Sequence, residues 1–342
     1  MTAARTLVAA RDLGVHFRLD RHRVLKAVDG ISLEVRAGET FGIIGESGSG
    51  KTTLGRALVC LEKPSAGQVL HDGADPFALS GRALRQHRRN YQVVFQDPNA
   101  ALDPRMTILR SVREPLDVAG TLPRAERQAL ALQMMERVGL SRDFAARYPH
   151  ELSGGQKQRV CIARVLTLRP SVIVCDEAVA ALDVSIQADI LNLLAELQRE
   201  FGLTYIFITH NLGVVAHVSD RIAVMYLGRL VEMGTAEALL ARPLHPYTDA
   251  LLSSEPVALP SHMRPAQRVV LGGELPSPVS PPSGCRFRTR CRFAQDLCAA
   301  REPEWREVEP GHWAACHFAG TLPATSAGHG TAYTPVPTEA LS

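Results

Sequence analysis

A chain of 342 residues, 46% hydrophobic and 21% charged, is long enough to bury a substantial core and has the balance of a soluble globular protein, with room for one large domain and a smaller piece. Its formal net charge of +3 is too small to drive binding to nucleic acid, and no apolar run approaches the roughly 18–20 residues that a membrane-spanning helix needs. The opening stretch MTAARTLVAARDLG lacks the apolar segment of an export signal, so the chain is expected to stay in the cytosol, with any membrane role arising through a partner.

Residues 1–45 read as strands: GISLEV alternates apolar and polar, and ETFGIIG is a short apolar run ending in glycine. GESGSGKT, 45–52, follows that run and precedes a predicted helix, TTLGRALVCL. In that setting it has the pattern of a phosphate-binding loop. Gly45, Gly48 and Gly50 let backbone N–H groups wrap a phosphate, Lys51 offers a cation to the β- and γ-phosphates, and the Thr52 hydroxyl can ligate Mg²⁺. Ser47, Ser49 and Thr53 join the expected nucleotide-binding set. A dinucleotide fingerprint fits less well, because Lys51-Thr52-Thr53 follow the last glycine and no distal acid is evident.

The basic cluster Arg82, Arg85, Arg88 and Arg89 reads as a solvated helix face. Gln96, in VVFQDP, follows a β-like run, and its amide can reach Mg²⁺ or water. The stretch from about 98 to 164 reads as helical; Leu130, Met134 and Val138 share a core face and Gly139 stops that helix. LSGGQKQR places Ser153, Gly154, Gly155 and Gln156 at a helix start, a second element suited to an anion. SVIVCDE is a buried strand ending in Asp176, which can hold Mg²⁺ through water, and Glu177, which can polarise an attacking water. TYIFITH ends in His210, at the strand end where open α/β sheets keep their ligands. DRIAVMYLGRLVEMG reads as a hairpin. Strands alternating with helices predict an α/β fold with a mainly parallel sheet.

Near residue 255 the composition turns to Pro, Gly and Ser, as in GGELPSPVSPPSG, which marks a linker or extended arm. Cys60, Cys161 and Cys175 lie in apolar stretches and read as buried small hydrophobes, whereas Cys285, Cys291, Cys298 and Cys316 cluster. In a reducing compartment such a cluster suggests metal more than disulfides. Its C-x5-C-x6-C-x17-C spacing is not a standard zinc pattern. Arg286, Arg288, Arg290 and Arg292 are interleaved with the cysteines and are expected to favour thiolates over thiols. Residues 321–342 lack periodicity and are expected to be disordered.

The ordered set GESGSGKTT, VVFQDP, LSGGQKQR, VIVCDE, ALD and ITH resembles the nucleotide-binding subunit of ATP-binding cassette transporters: Walker A, Q-loop, signature, Walker B, D-loop (Asp183) and switch histidine. The resemblance covers about 1–255 and implies a RecA-like P-loop ATPase core, an antiparallel β subdomain and a helical signature subdomain of about 98–164. FQDPNAALDPRMT, RYPHELSGGQ, HPYTDALL, GELPSPVSPPSGC and FRTRC are similar to the ATPase subunits of oligopeptide and dipeptide importers, which extends the match through a C-terminal arm, 256–320. The resemblance implies ATP and Mg²⁺ as ligands, and a partner ATPase subunit, a different but similar chain or a second copy, whose nucleotide is capped by the LSGGQ segment. It also implies two membrane permease subunits and an extracellular binding protein, no nucleic acid, and a peripheral position on the cytoplasmic face of the membrane. It further implies a [4Fe–4S] cluster on the four cysteines, with zinc and free thiols as alternatives. The adenine-stacking aromatic best maps to Phe17, with His16 a rival and core packing of Phe17 the other reading. Ala178 stands where the family has proline and Ala180 where it has serine. Nickel, glutathione and opine importers have closely similar ATPase subunits. Soluble cassette ATPases usually carry two cassettes or a long coiled-coil insertion, and neither is present in this sequence. A module that binds ATP without turnover is disfavoured by Glu177 and His210.

Overall fold

A computed structural model describes residues 5–180, 182–254, 272 and 274–321; the expected disordered tail after 321 lies outside them. The chain forms β1 (Thr6–Arg18), β2 (Val24–Arg36), β3 (Thr40–Ile44), α1 (Lys51–Leu58), β4 (Ala66–His71), α2 (Gly81–His87), β5 (Tyr91–Val94), α3 (Pro98–Ala101), α4 (Ile108–Ala119), α5 (Arg124–Arg137) and α6 (Gly154–Leu166). It continues with β6 (Val172–Asp176), α7 (Val184–Phe201), β7 (Thr204–Thr209), α8 (Leu212–Val218), β8 (Arg221–Tyr226), β9 (Arg229–Thr235), α9 (Ala236–Ala241), α10 (Pro246–Ser254), α11 (Asp296–Ala300), β10 (Arg306–Glu309) and β11 (His312–Ala314). It divides into two compact units, one of Met1–Arg11, Ser32–Thr40 and Thr52–Ile208, the other of Asp12–Ile31, Phe41–Lys51 and Thr209–Ser342. Among the described residues no helix is long and apolar enough to cross a membrane.

In the first unit β5, β6 and β7 run parallel, with Val172 of β6 opposite Tyr91 on one side and Thr204 on the other. Every residue of β6 and β7 is buried, which explains why those stretches are apolar runs without alternation. The 98–164 region is not one helical run. Asp97 accepts from Asn99 N–H (2.8 Å) and Pro98 opens α3, whereas the residue before a proline leaves helical geometry at Thr121-Leu122-Pro123 and Tyr148-Pro149. On α5 the buried positions are Ala131, Met134 and Met135, and Val138 just after it is buried too, so the expected stripe holds at Met134 and Val138 while Leu130 sits half-buried at its edge.

In the second unit β3 and β8 pair in parallel, and β8 and β9 form the expected antiparallel hairpin. The C-terminal strand β11 adds antiparallel to β9, and β10 adds to β11. A buried carboxylate fixes that addition: Glu232 accepts from Leu244 N–H (2.8 Å), His245 N–H (2.9 Å) and His312 Nε2 (2.8 Å). Leu244, Ala314 and Ala319 close over it with Val308 and Cys316. Behind the loop that follows β3, Phe287 packs edge-on to Tyr226 (ring centroids 5.3 Å) and against Tyr247 (5.4 Å); burying such a ring contributes about 2–3 kcal/mol.

Two histidines are folded in the neutral form. His71 stacks on Tyr91 with ring centroids 3.7 Å apart, its Nε2 donates to Leu58 O (2.7 Å), and its Nδ1 accepts from His87 Nε2 (2.7 Å). Burial pushes His71 down to about 4 and His245 to about 3. The unfolded chain takes up protons near pH 6.5 and the folded chain does not, so stability is lost as pH falls from about 6.5 toward 4. Each histidine should cost about 2 kcal/mol by pH 5. The unfolding midpoint should therefore drop steeply between pH 7 and pH 5, and His71→Gln should make that drop markedly shallower, as thermal melts across the range will show.

Candidate functional site

β3 delivers the chain into the loop 45–51, which is crowded from behind. Gly45 and Gly50 adopt φ of 154° and 102°, and a Cβ there would lie 2.1 Å from Met225 O and 2.0 Å from Ala27 O, respectively. Only glycine fits at either position. The buried Lys51 turns its ammonium into the loop, donating to Gly45 O (2.7 Å) and Glu46 O (2.8 Å) and reaching Ser49 Oγ at 3.5 Å. Ser49 N–H donates to Glu46 O (3.2 Å), and Ser49 O accepts from Gly228 N–H (2.9 Å). Ser47 and Gly48 stand exposed at the crest. The result is a cation held by carbonyl oxygens inside a glycine-rich loop between a strand and a helix, the setting in which such loops receive phosphates.

The other unit assembles the acids. The Thr52 hydroxyl donates to Asp176 Oδ1 (3.0 Å), so the two expected Mg²⁺-binding side chains meet at the buried end of β6. A hydroxyl and a carboxylate offer the hard oxygen donors that Mg²⁺ takes. Glu177, the next residue, has φ +48°, a left-handed geometry that costs a non-glycine residue free energy. Its N–H donates to Ile208 O (2.8 Å), and its Oε2 accepts from Gln96 Nε2 (2.7 Å). Strain at an acid whose carboxylate is oriented by a neighbouring amide fits a group held for chemistry. Thr52, Gln96, Asp176 and Glu177 are thus brought together as expected. Thr53 is half-buried on α1, Asp183 precedes α7 and is exposed, and His210 directly follows β7 and is exposed. Phe17 is half-buried on β1, and its rival His16 faces Asp29, Nε2 to Oδ1 at 3.6 Å.

Ser153 caps α6: its Oγ accepts from Gln156 N–H (3.3 Å) and its N–H donates to Gln156 Oε1 (2.9 Å), a reciprocal capping box. Ser153 and Gly154 are exposed. Gly155 has a different reason to be glycine, since a Cβ there would lie 2.6 Å from Ile186 Cγ2 on α7. The basic cluster is not merely solvated: Arg82, Arg85, Arg88 and Arg89 border a groove of about 1300 Å³ that Gln96 also lines, and Arg88 Nη2 donates to Cys60 O (2.7 Å).

Cys285, Cys291, Cys298 and Cys316 line one cavity of about 20 Å³. Among the described residues no three His, Cys, Asp or Glu side chains are disposed to hold a metal ion. The expectation that the interleaved arginines favour thiolates is overturned. Burial pushes Cys285 up to about 11 and Cys316 to about 12, and raises Cys291. The arginines point elsewhere: Arg286 to Asp29, Arg288 to Ser283 O (2.9 Å), Arg290 to Glu46 and Arg292 to Asp249 (3.1 Å). Those contacts behind the phosphate loop are what sequence reasoning missed; the arginines were visible, their partners were not. Cys60, Cys161 and Cys175 are buried and each pushed up to about 12 by burial, as inert core thiols should be.

Residues 28–180 match the family model described as ABC transporter, and residues 231–298 match that for the oligopeptide/dipeptide transporter C-terminal region. The oligopeptide transport ATP-binding protein AppF of Bacillus subtilis (strain 168) is 50% identical over 327 residues, 93% of this chain and 99% of AppF. The ATP-binding cassette MJ0796, in a dimeric post-hydrolysis state bound to ADP and Pi, superposes with a TM-score of 0.61 at 32% identity, over 67% of this chain and 99% of that one. The protein cbiO1 of Clostridium perfringens, part of the transporter complex cbiONQ, gives a TM-score of 0.62 at 30% identity, over 69% and 91%.

Gly155→Val tests the packing of the signature helix. Its side chain must displace Ile186, so the unfolding midpoint should fall by the equivalent of about 1–3 kcal/mol, whereas Gly154→Ala, whose Cβ would sit 3.5 Å from Leu182, should leave stability within about 1 kcal/mol of the parent.

Proposed function

Because the chain belongs to the ATP-binding cassette transporter family, in its oligopeptide/dipeptide branch, we propose that it powers uptake of di- or oligopeptides through a membrane importer. It is an ATPase. The observation that carries the mechanism is the meeting of the Thr52 hydroxyl with Asp176 at 3.0 Å, one residue on from a lysine already fixed inside a phosphate loop. Lys51 exchanges loop carbonyls for β- and γ-phosphate oxygens, Thr52 and Asp176 hold Mg²⁺, and Mg²⁺ supplies charge neutralisation on the phosphates. Glu177 polarises a water that attacks the γ-phosphorus as the bond to the ADP oxygen breaks. Gln96 orients the Glu177 carboxylate, and His210 serves the γ-phosphate end. The chain-wide set of nucleotide contacts is completed by Phe17 against adenine and by Ser47, Gly48, Ser49 and Thr53.

Ser153, Gly154, Gly155 and Gln156 serve a partner's nucleotide. An exposed helix start can receive an anion from outside its own chain, and two such chains closing head to tail are joined by ATP and released by hydrolysis. Asp183 lies in the communicating loop. Transporter ATPase subunits of this kind work with membrane permeases and a substrate-binding protein. Here the complement is a second, similar ATPase chain, two permease subunits and an extracellular peptide-binding protein, with this subunit peripheral on the cytoplasmic face. The same ATPase role in a nickel, glutathione or opine importer is the alternative, because substrate choice resides in the other subunits.

The C-terminal thiols are assigned a [4Fe–4S] cluster. Support comes from the four thiols lining one cavity, since four cysteines are the ligand set such a cluster takes. Its role is to fix the arm.

Two experiments test these assignments. Lys51→Ala should lose nucleotide binding, whereas Glu177→Gln should bind ATP and lower turnover by about 10²–10⁴-fold, the usual contribution of a positioned base; an E177Q protein with near-parental turnover would remove Glu177 from the chemistry. Separately, anaerobically purified protein should be brown with about four irons per chain, and Cys291→Ser should bleach it while ATP binding persists. Colourless protein carrying one zinc per chain, or freely titrating thiols, rules the cluster out.

A further inference from the structure

The loop that is built to receive a polyphosphate contains a carboxylate of its own, Glu46. Placed beside bound phosphates, that charge opposes the ligand by simple Coulomb repulsion. The structure answers it from far along the chain. Arg290 donates from Nη1 to Glu46 Oε2 (2.6 Å) and from Nη2 to Glu46 Oε1 (2.9 Å), a two-pronged pair in which the arginine side chain is 7% exposed and the glutamate 27%. The Glu46 backbone is held as well: its N–H donates to Tyr247 Oη (2.8 Å) and its carbonyl accepts from Lys51 Nζ (2.8 Å).

Arg290 is itself rigidly mounted. Its N–H donates to Phe287 O (3.0 Å), Phe287 is buried against Tyr226 and Tyr247, and the guanidinium lies 6.0 Å from the Tyr226 ring centroid. Four residues earlier Arg286 binds Asp29 and Leu227 O. Gly228, next to Leu227, gives its N–H to Ser49 O (2.9 Å) and its carbonyl accepts from Asp29 N–H (2.9 Å). One short stretch of the C-terminal arm therefore grips the phosphate loop at its first turn and braces the segment behind its second.

We infer that Arg290 is a positioning residue for nucleotide binding, neutralising Glu46 and fixing the turn from which Lys51 and the loop N–H groups meet the phosphates. The inference rests on the ATP reading above. The planar fork matters: a lysine can supply the charge but not both hydrogen bonds.

The test measures binding of a fluorescent ATP analogue with Mg²⁺ to the full chain, alongside thermal unfolding without nucleotide. Arg290→Ala should weaken binding about tenfold or more, the scale set by stranding a partly buried carboxylate, and Arg290→Lys should recover only part of the loss. The double variant E46Q/R290A decides the mechanism: with no charge left to neutralise, it should recover most of the affinity that R290A loses, although its unfolding midpoint matches that of R290A. R290A binding as tightly as the parent overturns the inference, and so does a double variant as weak as R290A, which would mean that Arg290 merely packs the arm. Lys51→Ala run in parallel separates the two levels: if K51A loses binding and R290A does not, the inference alone fails, and if K51A retains parental affinity, the ATP reading beneath it fails. Should R290A not fold, R290K decides, with a several-fold loss supporting the inference and parental affinity overturning it.

Discussion

The carbonyl oxygens of Met225 and Ala27 stand so close to Gly45 and Gly50 that an added methyl group would lie 2.1 Å and 2.0 Å from them. This crowding sets the path of the phosphate loop. With its back against another strand's backbone, the loop turns its own carbonyls toward Lys51 and leaves its crest residues Ser47 and Gly48 exposed. In the proposed reading the lysine is thereby stored at the point of use, and an incoming phosphate has only to replace the carbonyl oxygens that already hold the cation. Preorganisation of this kind moves the cost of desolvating and orienting the ammonium from the binding step to the folding step.

Charge placement in the second unit follows a related logic. Glu232 is fully buried and takes two backbone N–H groups and a histidine; Asp29, Glu46 and Asp249 each receive an arginine from the cysteine-bearing arm. Pairs that leave water add little net stability, because desolvation offsets most of the attraction, but breaking one partner away costs about 3–5 kcal/mol when the other stays buried. Their effect is to specify where the arm sits. Apolar contacts such as Phe287 between Tyr226 and Tyr247 supply the adhesion, and the ion pairs forbid alternative seatings. At the thiols, loss of water around the sulfurs outweighs the pull of neighbouring charges such as Arg292 beside Cys291.

The nucleotide motifs were legible because their chemistry is local. A glycine-rich turn between a strand and a helix, or two acids at the end of an apolar run, declares itself within ten residues, and the structure places Thr52, Gln96, Asp176 and Glu177 together accordingly. The β8–β9 hairpin was readable for the same reason. The region after residue 98 is helical, as its apolar periodicity indicated, but the breaks before prolines 123 and 149 are not registered by that periodicity. Short elements such as β4 and α2 carry too few residues for a period to emerge. At Gly155 the structure adds a constraint of another kind, the close approach of Ile186, a contact between separate helices that no local pattern encodes. The destinations of Arg286 and Arg290 were hidden for the same reason: the residues sit among cysteines, and the carboxylates they seek lie at the opposite end of the chain.

That separation, 244 positions for Arg290 and Glu46 and 257 for Arg286 and Asp29, has a consequence for how the protein is made. A ribosome releases the phosphate loop well before the arm. Until the chain has emerged past Arg290, the loop exists without its counter-charge and without the strut behind it. A chain cut short before Arg286 then carries the glycine-rich loop yet lacks the two arginines that brace it.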